Sequence, residues 1–102
     1  MDVSFVIVNY NTLELTSNCI RSIFERTKEL SFEIIVVDNA SPDMDPEELS
    51  RRHPGITLIK SPSNLGFAKG NNLGIENATG KYILLLNSDC ELINNAPKIC
   101  YD

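Results

Sequence analysis

Ile34-Ile35-Val36-Val37 runs straight into Asp38-Asn39-Ala40-Ser41-Pro42, and Ile83-Leu84-Leu85-Leu86 runs into Asn87-Ser88-Asp89. Neither apolar run alternates with polar residues. A strand with one face in water alternates; a strand covered on both faces does not, and such strands belong to parallel sheets flanked by helices. With their flanks these runs read as strands Phe32–Val37 and Tyr82–Asn87, and Val3–Val8 and Ile56–Lys60 are two more.

The intervening stretches carry helix signals. Asn11 followed by Glu14 predicts a capping box. Leu13, Ile20 and Phe24, with Leu15, Cys19 and Ile23 beside them, predict a wide apolar stripe on the helix that follows. Asp45-Pro46 predicts a second helix, with Pro at its first position and Glu47-Glu48 in its first turn. A third spans about Phe67 to Asn77 and stops at Gly80. Gly66, Gly70 and Gly74 fall near one face of it, which permits close backbone approach to the sheet or to a ligand. The order β-α-β-α-β-α-β with right-handed crossovers predicts an α/β fold, a Rossmann-like three-layer α/β/α arrangement with a mostly parallel sheet.

Composition narrows the function. The chain has 102 residues, 42% hydrophobic and 23% charged, so it is one small globular domain. Fourteen acidic against nine basic residues give a formal charge of −5, the wrong sign for gripping nucleic-acid phosphates. No apolar run is long enough for a transmembrane segment, and Asp2 and Asn9 spoil a secretory signal. Three cysteines without a CxxC pair read as reduced thiols of a cytoplasmic protein.

In open parallel sheets ligands bind beyond the carboxyl ends of the strands. Here those ends carry Asn9-Tyr10-Asn11, Asp38-Asn39-Ala40-Ser41, Ser61 to Gly66, and Asn87-Ser88-Asp89-Cys90-Glu91. Each residue alone is an ordinary turn or cap residue; four polar ends on one rim predict a ligand site. Neither GxGxxG nor GxxxxGK[ST] occurs, so a diphosphate here would have its charge met by a divalent cation, Mg2+ or Mn2+. Asp89 is the natural metal ligand, with a helix cap or turn as its plain alternative, and Glu91 is a second ligand or a solvated side chain. Asp38 can accept a hydrogen bond from N3–H of uracil or thymine. Tyr10 is either a ring beside the base or core filler. Lys69 reads as exposed and Arg51-Arg52-His53 as solvated surface.

Val6-Ile7-Val8-Asn9-Tyr10-Asn11, Val36-Val37-Asp38-Asn39-Ala40-Ser41, Asn64-Leu65-Gly66-Phe67-Ala68 with Gly70 and Asn71, and Leu85-Leu86-Asn87-Ser88-Asp89 occur in this order. In that order the chain resembles the N-terminal half of family 2 glycosyltransferases of the GT-A fold, particularly rhamnosyltransferase-like members. The resemblance implies a UDP- or dTDP-linked sugar as donor. Asn9, Tyr10, Asn11, Asn39, Ser41 and Asn71 would lie around the nucleotide, with Asp38 on the pyrimidine edge. Asn64, Gly66 and Phe67 would lie at the base and ribose side. Asn87, Ser88 and Asp89 would stand at the DxD metal motif, with Asn87 replacing its first acid.

The resemblance also implies the strand order 3-2-1-4, and self-association through the fourth strand where later strands would pair. Family catalytic domains run to about twice this length. The additional half would carry a glycan or lipid-linked acceptor site and the Asp or Glu base of an inverting transfer, with peripheral attachment to the inner membrane face. Glu91 and Asp102 are poor substitutes for that base. Two alternatives are a non-catalytic nucleotide-sugar-binding module and a receiver-like signalling domain. The second would want paired acids after the first strand, where this chain has Asn9-Tyr10-Asn11.

Overall fold

A central strand buried along its whole length organises the sheet. In the computed structural model, which describes residues 1–87, β1 (Val3–Asn9) is buried at all seven positions. After it come α1 (Leu13–Arg26), β2 (Phe32–Asp38), α2 (Glu47–Arg52), β3 (Thr57–Lys60), α3 (Phe67–Glu76) and β4 (Tyr82–Leu86). The sheet order is β3-β2-β1-β4, all parallel. The expectations for Ser88, Asp89, Cys90 and Glu91 lie outside the described residues.

The runs of β1 and β2 lack alternation because both faces of the sheet are covered there; the run of β4 is not covered in this way, and Ile83 and Leu85 stay exposed. Phe5, Ile7, Ile34 and Val36 meet Cys19, Ile20 and Ile23 of α1 and Leu49 of α2. The Phe32 ring sits between Phe5 and Phe24, with centroids 5.9 and 5.7 Å away. On the opposite face Val6, Ile35 and Val37 meet Leu73 of α3 and Ala78. This second core is thinner, and α3 compensates by coming close. A methyl on Gly74 would overlap Cγ1 of Val6, and one on Gly70 would stand 3.2 Å from both Val8 methyls. Forcing a methyl into a packed site of this kind costs about 1–3 kcal/mol, more than the ~1 kcal/mol that Ala gains over Gly in a helix. The glycine face therefore serves the sheet.

Polar clips secure the far end of α3. Asn77 Nδ2 donates to Leu73 O at 2.9 Å. The Thr79 amide and hydroxyl donate to Glu33 Oε2 at 2.7 and 2.9 Å, and Gly80 N donates to Ser4 Oγ at 2.8 Å. Burial pushes the Glu33 carboxyl up, but the bonds it accepts from Thr79 and from the Ser4 hydroxyl, which donates to Oε2, outweigh it and hold it below its usual value.

Three local expectations are corrected. The capping box does not form: Thr12 is the N-cap, without a side-chain cap bond. Asn11 adopts φ 54, and its carboxamide oxygen accepts from Asp43 N at 3.0 Å, so a distant loop has taken the side chain that would have capped. The α1 stripe is narrower than predicted, since Leu15 and Phe24 stay 47% and 45% exposed. Finally, His53 is not plain solvated surface. Arg51 and Arg52 are, paired with Asp45, Glu48 and Glu14. The His53 ring instead turns inward, with Nε2 2.9 Å from Oγ of buried Ser17.

Burial, helped by the nearby charges of Arg21 and Arg52, lowers the His53 pKa from its ordinary 6.5. The unfolded chain then binds the proton more readily than the folded one, so stability falls with acidity. It should be constant above pH 6.5 and decline toward the lowered value, before carboxylates with ordinary values of 4.5 and 3.8 titrate. His53 is the only histidine, so urea midpoints measured against pH isolate it. His53→Gln should flatten that limb, and a wild-type profile already flat there would contradict the assignment.

Candidate functional site

The crossovers leave β1 in opposite senses. One passes through α1 to β2, while α3 carries the chain from β3 across the other face to β4. A crevice opens at such a switch point, beyond the strand ends. Here it is a depression of about 530 Å³. Val8, Tyr10 and Thr12 line it from the end of β1, and Leu15 from the first turn of α1. Asn39 contributes from the end of β2, Asn64, Gly66 and Phe67 from the approach to α3, and Asn87 from the end of β4. These lining residues include no carboxylate, lysine or arginine, and two of them present rings to solvent, Tyr10 at 44% and Phe67 at 55% exposure.

Beneath the depression lies a buried polar network. The register of β1 on β2 sets Asn9 beside Asp38. Asn9 Nδ2 donates to Asp38 Oδ1 at 2.8 Å, and its Oδ1 accepts from Thr12 and Thr16 hydroxyls at 2.9 and 2.7 Å. Ser41 closes the turn after β2, donating its hydroxyl to Asp38 Oδ1 at 2.6 Å and its amide to Oδ2 at 3.1 Å. The same hydroxyl accepts the Asn11 amide at 2.9 Å. A buried carboxylate is costly unless donors meet it, and three do.

A second set of bonds holds the α3 side. Asn39 Nδ2 donates to Gly66 O at 3.1 Å, and its Oδ1 accepts from Leu65 N at 3.4 Å. Asn64 Oδ1 accepts from Gly66 N at 2.8 Å. Gly66 sits at φ 82, ψ 170, a region essentially reserved for glycine, so the turn into α3 requires that residue.

Six of the predicted site residues line the depression: Tyr10, Asn39, Asn64, Gly66, Phe67 and Asn87. Tyr10 is accordingly not core filler. Asn9, Asp38 and Ser41 lie below, in the network. Asp38 is 2% exposed with both oxygens engaged, so it supports the floor and does not line it. Its position as the last strand residue, next to Asn9 and three before Ser41, is the reason. Asn11 stands at the exposed margin, tied to Asp43. Asn71 is buried in α3, its Oδ1 without a hydrogen-bond partner. Ser88 and Asp89 lie outside the described residues, and no group of three or more His, Cys, Asp or Glu gathers among those described. Sequence reasoning missed Val8, Thr12 and Leu15. Their signal is position: Val8, Thr12 and Leu15 all lie within six residues of the last residue of β1.

The family model described as glycosyl transferase family 2 matches residues 4–99. This chain belongs to that family. Among its relatives, an uncharacterized glycosyltransferase of Haemophilus influenzae is 33% identical over 90 residues, covering 85% of this chain and 28% of that protein. The succinoglycan biosynthesis protein ExoO of Rhizobium meliloti is 33% identical over 89 residues, covering 86% and 25%. The chain thus spans between a quarter and a third of these relatives. S. aureus TarS 1-349 in complex with UDP shares the fold, with a TM-score of 0.83 at 22% identity over 98% of this chain and 31% of that one. The mannosyltransferase PcManGT from Pyrobaculum calidifontis, in complex with GDP-Man and Mn2+, gives 0.79 at 25% identity over 91% and 29%. The Rossmann-like α/β fold and the family are as the sequence predicts. No helix among the described residues is long and apolar enough to cross a membrane.

Proposed function

We propose that this chain is the donor-binding part of an inverting glycosyltransferase, and that the depression between β1 and β4 takes the nucleoside diphosphate of a UDP- or dTDP-linked sugar. The observation that carries this is the depression itself: without a charged side chain among its described lining residues, flanked by the exposed Tyr10 and Phe67 rings, and set at the switch point of a family 2 chain. Such ring-bearing walls suit a base and ribose. Solved structures of similar fold in complex with UDP, and with GDP-Man and Mn2+, support a nucleotide-sugar.

In this reading Tyr10 and Phe67 flank the base, and Asn64 and Gly66 border the ribose. Asn9, Asp38 and Ser41 keep the floor rigid from below. The diphosphate extends toward Asn87, where Ser88 and Asp89 follow in sequence, and Asp89 is the chain's ligand for Mg2+ or Mn2+. The cation supplies charge to the departing diphosphate. The acceptor hydroxyl attacks the anomeric carbon, the bond to the diphosphate oxygen breaks, and an Asp or Glu takes the hydroxyl proton. We assign that base and the glycan or lipid-linked acceptor site to the part of the longer relatives outside the matched stretch. These residues by themselves then bind donor without transferring sugar, and we assign peripheral membrane attachment to that same part of the relatives.

We also propose that the chain associates with itself through β4. Tyr82, Ile83 and Leu85 are 58%, 40% and 48% exposed, and among the described residues only β1 pairs with this strand. An apolar strand edge of that kind invites pairing.

Titration calorimetry should show weak binding of UDP or dTDP that strengthens with Mn2+. Asp89→Ala should remove the metal effect, and Asp38→Ala should weaken the nucleotide with or without metal. Equal affinity in Mn2+ and in chelator would remove the cation from this reading.

Supplied with nucleotide-sugars and acceptors, the chain should release nucleotide only by slow hydrolysis, since a lost base alone forfeits about 10²–10⁴ in rate. Acceptor-dependent turnover would place the base within these residues. Light scattering at rising concentration should report species larger than the monomer; a monodisperse monomer would exclude pairing at β4.

A further inference from the structure

Asn39 is buried to 2% exposure, yet its carboxamide spends both ends on a segment 26 and 27 residues away. It follows Asp38 directly, where an asparagine ordinarily bonds within its own turn. Here Ser41 has taken that local duty. The Asn39 amide is fixed to Asn9 O at 2.9 Å, leaving the side chain to reach the turn before α3.

That turn has little else to hold it. Leu65 and Phe67 are 37% and 55% exposed, and nothing lies within 4 Å of where a Gly66 side chain would begin. Apolar burial therefore does not fix this wall. Gly66 O receives the Gly70 amide at 3.0 Å as the first turn of α3, and Asn39 Nδ2 is its second donor. Gly70 is itself seated on the same group: a methyl there would stand 3.1 Å from Asn39 Nδ2. One carboxamide thus sets both the turn and the first turn of the helix behind it.

We propose that Asn39 is a positioning residue for nucleotide binding, clamping the Asn64–Phe67 wall of the depression onto the end of β2. The inference rests on the nucleotide reading given above. A wall already in its bound position spares the ligand the cost of ordering it.

Two variants separate the clamp from general structure. Asn39→Asp keeps the size and the acceptor for Leu65 but turns a carboxylate oxygen toward Gly66 O. Asn39→Ala removes both bonds. In the ligand-free chain, amide exchange should quicken at Leu65 and Gly70 in Asn39→Ala, and at Gly70 in Asn39→Asp, with Ile35 and Val36 unchanged. UDP affinity in Mn2+ should fall about tenfold in Asn39→Asp and further in Asn39→Ala.

Both variants should lower the urea midpoint, so affinity is read on the folded fraction alone; a merely structural role would shift the midpoint and leave that affinity intact. Unchanged exchange overturns the clamp, and faster exchange with unchanged affinity overturns its role in binding. If the wild-type chain binds neither UDP nor dTDP, the nucleotide reading fails and this role falls with it. The exchange data then still decide whether Asn39 holds the wall.

Discussion

A carboxylate taken out of water must find donors, and Asp38 finds three of them on two elements. The parallel register of β1 on β2 brings the first, Asn9 Nδ2, because the last residues of the two strands are cross-strand neighbours. Once Asn9 is fixed there, its other end collects Thr12 and Thr16 and so anchors the start of α1. Ser41 folds the next loop back and takes the Asn11 amide. Two stretches distant in sequence, residues 9–16 and 38–41, meet in one network, and the depression above inherits its floor from them.

The two faces of the sheet solve burial differently. On one, Phe5, Ile20, Ile23 and Leu49 fill a conventional core, each large side chain worth about 1.5–3 kcal/mol when removed from water. On the other, few large side chains are available, and α3 gains contact by proximity through Gly70 and Gly74. The closeness shapes the site, for Val8 beneath Gly70 also lines the depression.

The fold was legible in the sequence because burial on both faces erases alternation, as Ile34 to Val37 show; Ile83 to Leu86 has the same pattern, yet Ile83 and Leu85 stay exposed at the sheet edge. The rim was legible for the same reason that it exists: polar residues crowd the ends of apolar strands. What escaped was whatever depends on partners far along the chain. Asn11 and Glu14 have the spacing of a capping box, but nothing local announces that Asp43 will claim Asn11. Nothing local to Asp38 announces that Asn9, brought beside it by the strand register, will take one of its oxygens. Leu15 reads as core by period, yet it lies toward the crevice, half exposed.

A helix that meets a sheet through glycines has few side-chain knobs to interlock along its axis. On α3 Leu73 is the large side chain set against Val6, Ile35 and Val37, so interdigitation resists translation mainly there. The axial setting of α3 therefore falls largely to its two ends, with Asn39 holding the leading turn and Glu33 and Ser4 holding Thr79 and Gly80 at the trailing one. Glu33 lies near the start of β2 and Asn39 just past its end, so β2 contributes to both stops, with Ser4 of β1 completing the trailing one. The width of the crevice is in this sense a length measured along β2.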